Sequence, residues 1–157
     1  MNTHPAVSLP PLPWRYRPLG ARLMVLLMSV MLLAAVLFMW FAMPGEIRAE
    51  FNWAQRVTLL GILLVMLVGL FGIARSSVSA DDSGLRIVNV YRVWRLEWAQ
   101  VLGVHLGPGE PWAVLDVDDG TTVMAMAIQG ADGRRARRAT EQLVGLVDAH
   151  SRTSRND

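Results

Sequence analysis

The sequence contains no cysteine. That removes disulfides, thiolate nucleophiles and cysteine-based zinc or iron–sulfur sites, while leaving the compartment open, because a cysteine-free domain suits either side of a membrane. Lysine is absent as well, so all 15 basic side chains are arginine. Genome composition is the plain reading of that bias, and a preference for phosphate contact is the sharper one. Histidine is scarce: His4 lies in the N-terminal segment, His150 near the C-terminal end, and His105 on an expected strand. Catalysis needs a nucleophile with a base, paired carboxylates or a ligand cluster, and none of these is assembled by the sequence pattern. Asp116, Asp118 and Asp119 lack a converging second ligand group at the spacing of a calcium or magnesium loop. Gly130-Ala131-Asp132-Gly133 lacks the lysine of a phosphate loop and the glycine spacing of a dinucleotide site. The expectation is a protein that is not an enzyme and carries no cofactor or metal.

Charge is missing from two long stretches. Leu23 to Met43 runs for 21 residues and Val57 to Ala74 for 18, neither with a charged side chain. As a helix the first covers roughly 30 Å, the thickness of a bilayer's hydrocarbon core. The 53% hydrophobic content is concentrated in these runs, so it does not describe one large globular core. A cleaved signal peptide is disfavoured by the length of the first run, by the lack of an Ala-x-Ala-like site at Phe41-Ala42-Met43-Pro44, and by the second run. With no ionisable group inside either run, transport by the helices alone is disfavoured. Arg15, Arg17 and Arg22 flank the first run with no acid among residues 1–22, which argues for a cytoplasmic N-terminus and, after two spans, a cytoplasmic C-terminus at the plasma membrane.

What is present divides the chain into a proline-rich basic tail (1–22), a first span (23–43), a short loop (44–56), a second span (57–74), a soluble domain (75–150) and a disordered tail (151–157). In the tail, Trp14 and Tyr16 are expected at headgroup level. Gly61, Gly69 and Gly72 permit close helix–helix approach, either within an antiparallel hairpin or with another protein. From Arg75 onward the texture is that of short strands. Asp81-Asp82-Ser83-Gly84 reads as a turn, Leu85–Val90 as a strand, and Asn89 as a kink or turn. Asp118-Asp119-Gly120 joins the strands Trp112–Val117 and Thr121–Ala127. The last element is an amphipathic helix, capped by Asp132, with Ala136, Ala139 and Leu143 on its apolar face. Trp98, Leu115, Val117 and Leu143 are the candidate core residues.

Gly84-Leu85-Arg86-Ile87-Val88-Asn89, then Arg95-Leu96-Glu97-Trp98-Ala99-Gln100-Val101, then Leu115 to Met126 with its aspartate–glycine turn, resemble the bacterial pleckstrin-homology-like (PH-like) domain. The likeness is greatest to actinobacterial membrane proteins that place two transmembrane helices before such a domain, and it covers roughly residues 20–150. The resemblance implies a two-helix transmembrane hairpin followed by a small antiparallel β-sheet or barrel closed by a C-terminal helix, with no catalytic residues. Phosphoinositide-binding PH domains are similar to one another in a basic loop between their first two strands. The turn that matches it here, Ser79 to Gly84, carries Asp81 and Asp82 and no base, which would repel an inositol phosphate.

The basic residues of the domain sit instead at the start of the last helix, as Arg134, Arg135, Arg137 and Arg138. Cations there oppose the helix dipole, at about 0.3–1 kcal/mol each when exposed and unpaired. A solvated helix face, an anionic phospholipid headgroup and an acidic partner each account for them, whereas nucleic acid fits poorly, since the cluster is short and has no interleaved aromatics. The functional expectation is a non-enzymatic, membrane-tethered binding or scaffold module. Its PH-like domain contacts a membrane or envelope-associated protein at the cytoplasmic face; the alternative is anionic-headgroup binding through the four arginines.

Overall fold

A computed structural model of the chain describes residues 9–153; the expected features at His4, Pro5 and the last four residues lie outside the described part. The chain forms two units. One comprises Leu19–Ala74, and the other joins the N-terminal segment up to Pro18 with Arg75 onward.

The first unit is helical. α1 spans Leu19–Ala42, a short α2 spans Gly45–Glu50, and α3 spans Trp53–Ala74. Both long helices are long and apolar enough to cross a membrane. Their leucine, methionine and valine side chains are almost all exposed, and α1 buries none of its residues, which separates them from the core helices of a soluble protein. α1 begins four residues before the charge-free run, because Gly20, Ala21 and Arg22 continue the helix. The Arg22 Nε–H donates to the Ala74 carbonyl at 3.2 Å, so a cation satisfies an orphan acceptor at the C-terminus of α3 and ties the two far ends of the hairpin together. At the opposite end Asn52 and Gln55 exchange side-chain-to-backbone bonds of 3.0 Å each, a reciprocal cap that starts α3. Arg56 closes the connection by donating to the carbonyls of Phe51 and Arg48 and lying over the Trp40 ring.

The second unit contains two antiparallel sheets and a helix. The four-stranded sheet has the order β1 (Trp14–Tyr16), β2 (Ser77–Asp81), β3 (Gly84–Asn89) and β4 (Arg92–Glu97). The three-stranded sheet has the order β5 (Val101–His105), β6 (Trp112–Val117) and β7 (Thr122–Gln129). α4 runs over Arg134–Thr153. Alternating side chains from both sheets, among them Val78, Leu85, Ile87, Leu115 and Val123, meet Ala136, Ala139, Leu143 and Leu146 of α4 in one core.

The family-like sequence motif has a structural explanation residue by residue. Gly84 has φ +147°, and a Cβ there would collide with the Leu96 carbonyl oxygen. Asn89 ends β3 and turns its amide onto β7, donating to Met124 O at 2.6 Å and accepting from Met126 N–H at 3.1 Å. Its side chain thereby imitates a ladder pair between the two sheets. Trp98 is buried in a single 3₁₀ turn, donates its indole N–H to Asp81 O at 3.0 Å, and stacks on His150 at 4.4 Å.

Three expectations are corrected. Trp14 and Tyr16 are not headgroup anchors: both are buried, on a strand paired with β2 through Trp14–Ala80 and Tyr16–Val78. As a result the Asp81–Gly84 turn joins the second and third strands, and the connection between the first two strands is the helical unit itself. Asp132 does not cap α4. The Gly133 carbonyl accepts the first helical bond, from Arg137 N–H, and the Asp132 carboxylate accepts the Tyr16 hydroxyl at 3.1 Å. α4 also continues to Thr153, into the segment 151–157 expected as a disordered tail, after a last core contact where His150 packs on Trp98 and bonds Leu146 O through Nδ1.

Burial, followed by the Asp132 charge, pushes the Tyr16 hydroxyl up to about 12. Because the folded value lies above the unfolded one of about 10, this contribution to stability is complete below pH 10 and is lost as the pH rises through the folded value. Ultraviolet titration of the full chain should therefore show a tyrosinate step near pH 12 that disappears in Tyr16→Phe. A Tyr16 step at the ordinary tyrosine value would contradict the buried placement. Gly84→Ala should lower stability by more than about 2 kcal/mol, read by thermal unfolding in lipid nanodiscs, since both the positive φ and the Leu96 carbonyl oppose a Cβ.

Candidate functional site

The start of α4 and the N-terminal strand build one side of the β domain together. The chain from Leu9 to Arg17 runs along α4: a Cβ on Gly145 would come 3.1 Å from Leu9 Cδ2, Trp14 Nε1–H donates to Gln142 Oε1 at 3.2 Å, and Arg135 donates to Arg17 O at 3.4 Å. Gly145 thus makes room for the N-terminal segment. Arg135 also lies 5.4 Å over the Tyr16 ring, so much of its interaction capacity goes into fastening the strand to the helix.

Between these two elements is an open groove of about 560 Å³ lined by Trp14, Arg15, Tyr16, Arg134, Arg135, Arg138, Ala139 and Gln142. Residues 134 and 138 fall on one helical stripe, four apart, with 135 beside them. Arg15 faces outward between buried Trp14 and Tyr16, as strand alternation requires. The lining contains four guanidinium groups and no carboxylate. The ion pairs identified among the described residues involve neither Arg15 nor the α4 arginines; they join His105 to Glu110 and Asp116.

The sequence cluster of four arginines is therefore divided. Arg134, Arg135 and Arg138 share the groove with Arg15, a residue that the sequence reading assigns to the tail. Arg137 lines a different groove of about 1250 Å³, between the β5–β6 loop and α4. That groove mixes apolar Leu106 and Val144 with charged Glu110, Glu141 and Asp148. Arg15 escapes sequence reasoning because a three-residue strand between Pro13 and Pro18 offers too short an alternation to recognise; its signal is the Trp-Arg-Tyr pattern alone.

The remaining candidates are placed plainly. Trp98, Leu115, Val117 and Leu143 all lie in the core. Gly72 is buried, but a Cβ on Gly61 or Gly69 would meet nothing within 4 Å, so these two do not lie in the contact between α1 and α3. No group of three or more His, Asp or Glu side chains among the described residues could hold a metal ion. His105 is half exposed and its two carboxylate neighbours are 3.5 and 3.7 Å away, with no nucleophile in the group. Asp81 and Asp119 have carboxyls held below the usual aspartate range by hydroxyl and backbone N–H donors of Ser83 and Thr121. They stabilise hairpin turns. Nothing in the arrangement indicates enzymatic activity.

The geometry can be set beside known proteins. The bacterial PH domain family matches residues 75–144. An uncharacterised protein of Mycobacterium bovis is 31% identical over 105 residues, covering 66% of this chain and 67% of its own. Uncharacterised proteins from two strains of Mycobacterium tuberculosis match with the same identity and coverage. No solved structure matches the chain. The first strand, at Trp14–Tyr16, lies outside the matched domain and before both apolar helices. On this similarity the chain belongs to the family of these mycobacterial proteins, and its residues from Arg75 to Val144 form a bacterial PH domain.

Proposed function

We propose that this protein is a non-enzymatic, membrane-tethered binding module whose PH-like domain contacts another membrane or envelope-associated protein at the cytoplasmic face of the plasma membrane. The carrying observation is the groove between the β5–β6 loop and α4. It combines the half-buried apolar side chains of Leu106 and Val144 with charges of both signs from Arg137, Glu110, Glu141 and Asp148, a composition suited to a non-obligate protein contact. Family membership supports a binding role. The pairing of β1 with β2 supports a same-side arrangement, because strands on either side of a two-helix membrane hairpin reach one sheet only if the chain crosses an even number of times. The helical pair supplies the anchor in this reading, and the arrangement calls for neither cofactor nor nucleic acid.

A second reading, anionic-headgroup binding through the arginines of α4, is favoured by the carboxylate-free groove.

The protein-contact reading is tested by gentle extraction of full-length protein and of Val144→Arg, each followed by mass spectrometry of what co-purifies. A stoichiometric protein held by the native chain and reduced at least about ten-fold by Val144→Arg is expected, the loss of one buried interface anchor. Retention unchanged by the substitution removes this groove as the contact, and absence of any stoichiometric protein under several mild conditions rejects the reading.

A further inference from the structure

We propose that the groove between β1 and the start of α4 is a phosphate-ester site in which Arg15, Arg134 and Arg138 are the ligand-contacting residues, Arg135 is a positioning residue, and Arg137 plays no part. This rests on the headgroup reading above and narrows it to one constellation.

Three energetic oddities coincide there. Arginines stand at the positive end of a 20-residue helix, where an anion is favoured and a cation is not. Arg134 and Arg138 are like charges four apart on the same stripe, an unfavourable helical pair. Arg15 brings a third guanidinium to the same groove from a strand more than a hundred residues away in sequence. The usual remedy, a neighbouring carboxylate, is missing from the lining. The acid nearest in sequence, Asp132, accepts the Tyr16 hydroxyl. An anion bound between the three guanidinium groups removes all three penalties together.

The rest of the lining suits a phosphate ester. Guanidinium groups approach its oxygens in bidentate pairs. Gln142 offers its carbonyl end to Trp14, which leaves the amide N–H₂ as its donor end. Ala139 is short and leaves room beside Arg138. Arg135, held by Arg17 O and the Tyr16 ring, keeps Arg15 in register with the helix. Only Arg17 and Pro18 separate β1 from α1, so chain length keeps Arg15 within reach of a headgroup layer bounding that helix. A soluble phosphate ester and a phospholipid headgroup present the same chemistry to these residues.

The test uses full-length protein in phosphatidylcholine nanodiscs, titrated with glycerol phosphate by calorimetry. In parallel, phosphatidylglycerol retained on extraction from mixed phosphatidylcholine–phosphatidylglycerol vesicles is quantified. Arg15→Gln, Arg134→Gln and Arg138→Gln should each weaken binding about five-fold, and the triple change on the order of a hundred-fold. Arg137→Gln should leave binding within two-fold or so of the native value, as expected for a charge outside the site. Near-ultraviolet circular dichroism, which reports Trp14 and Tyr16, shows whether each variant keeps the strand. A soluble-probe signal that persists in phosphatidylglycerol discs identifies a free ester as the ligand. A signal abolished there, with phosphatidylglycerol retained by the native chain and lost by the Arg15 variant, identifies the headgroup. Equal weakening by Arg137→Gln overturns the site but leaves general headgroup attraction standing. Neither probe binding overturns both.

Discussion

Three residues ahead of the first apolar helix form a ladder with a strand that begins three residues after the second. Trp14 sits opposite Ala80, Arg15 opposite Ser79, and Tyr16 opposite Val78. The rest of the β domain depends on this pairing. It covers the outer edge of β2, which would otherwise present free N–H and C=O groups. It contributes two of the larger aromatic side chains to a core built mainly from valine, leucine and alanine. It also fixes the position of Arg15, and with it the charge of a groove whose remaining guanidinium groups come from α4. A domain counted from Arg75 onward would lack all three.

Legibility in the sequence follows the length of each signal. The two apolar runs are readable because 21 and 18 uncharged residues have few other physical explanations. The β6–β7 hairpin is readable because an Asp-Gly turn separates two alternating stretches, and the ladder runs through Leu115–Val123 and Ala113–Ala125 as alternation requires. α4 is readable from its apolar stripe. β1 is not, since three residues cannot establish a period of two, and Pro13 and Pro18 stand close on either side of it. Asn89 is a related case: a turn residue by propensity, it ends its strand, yet its importance lies in two bonds to a strand more than thirty residues later. Composition carries no information about such tertiary use of a side chain.

The same distinction applies to the candidate sites. The arginine cluster is evident in sequence, but helical geometry assigns its members to different surfaces, and only the fold adds Arg15. The resemblance motif behaves in the opposite way. Gly84, Asn89 and Trp98 belong to the stretch that carries the family likeness, and each is accounted for by backbone clearance, sheet stapling or core packing. In this chain the motif specifies architecture, and the arginines of the groove lie outside it.

The Arg22–Ala74 bond bears on how the molecule is assembled. Closing β1 onto β2 around a loose connection of some sixty residues would carry a substantial chain-entropy cost. Once α1 and α3 are side by side, with the first turn of one bonded to the last carbonyl of the other, the two ends of the helical connection are close together, and the effective loop shrinks to the few residues at either end. The helical hairpin then acts as a clasp. With its ends held together in this way, the helical connection lowers the entropy cost of pairing the edge strand with β2.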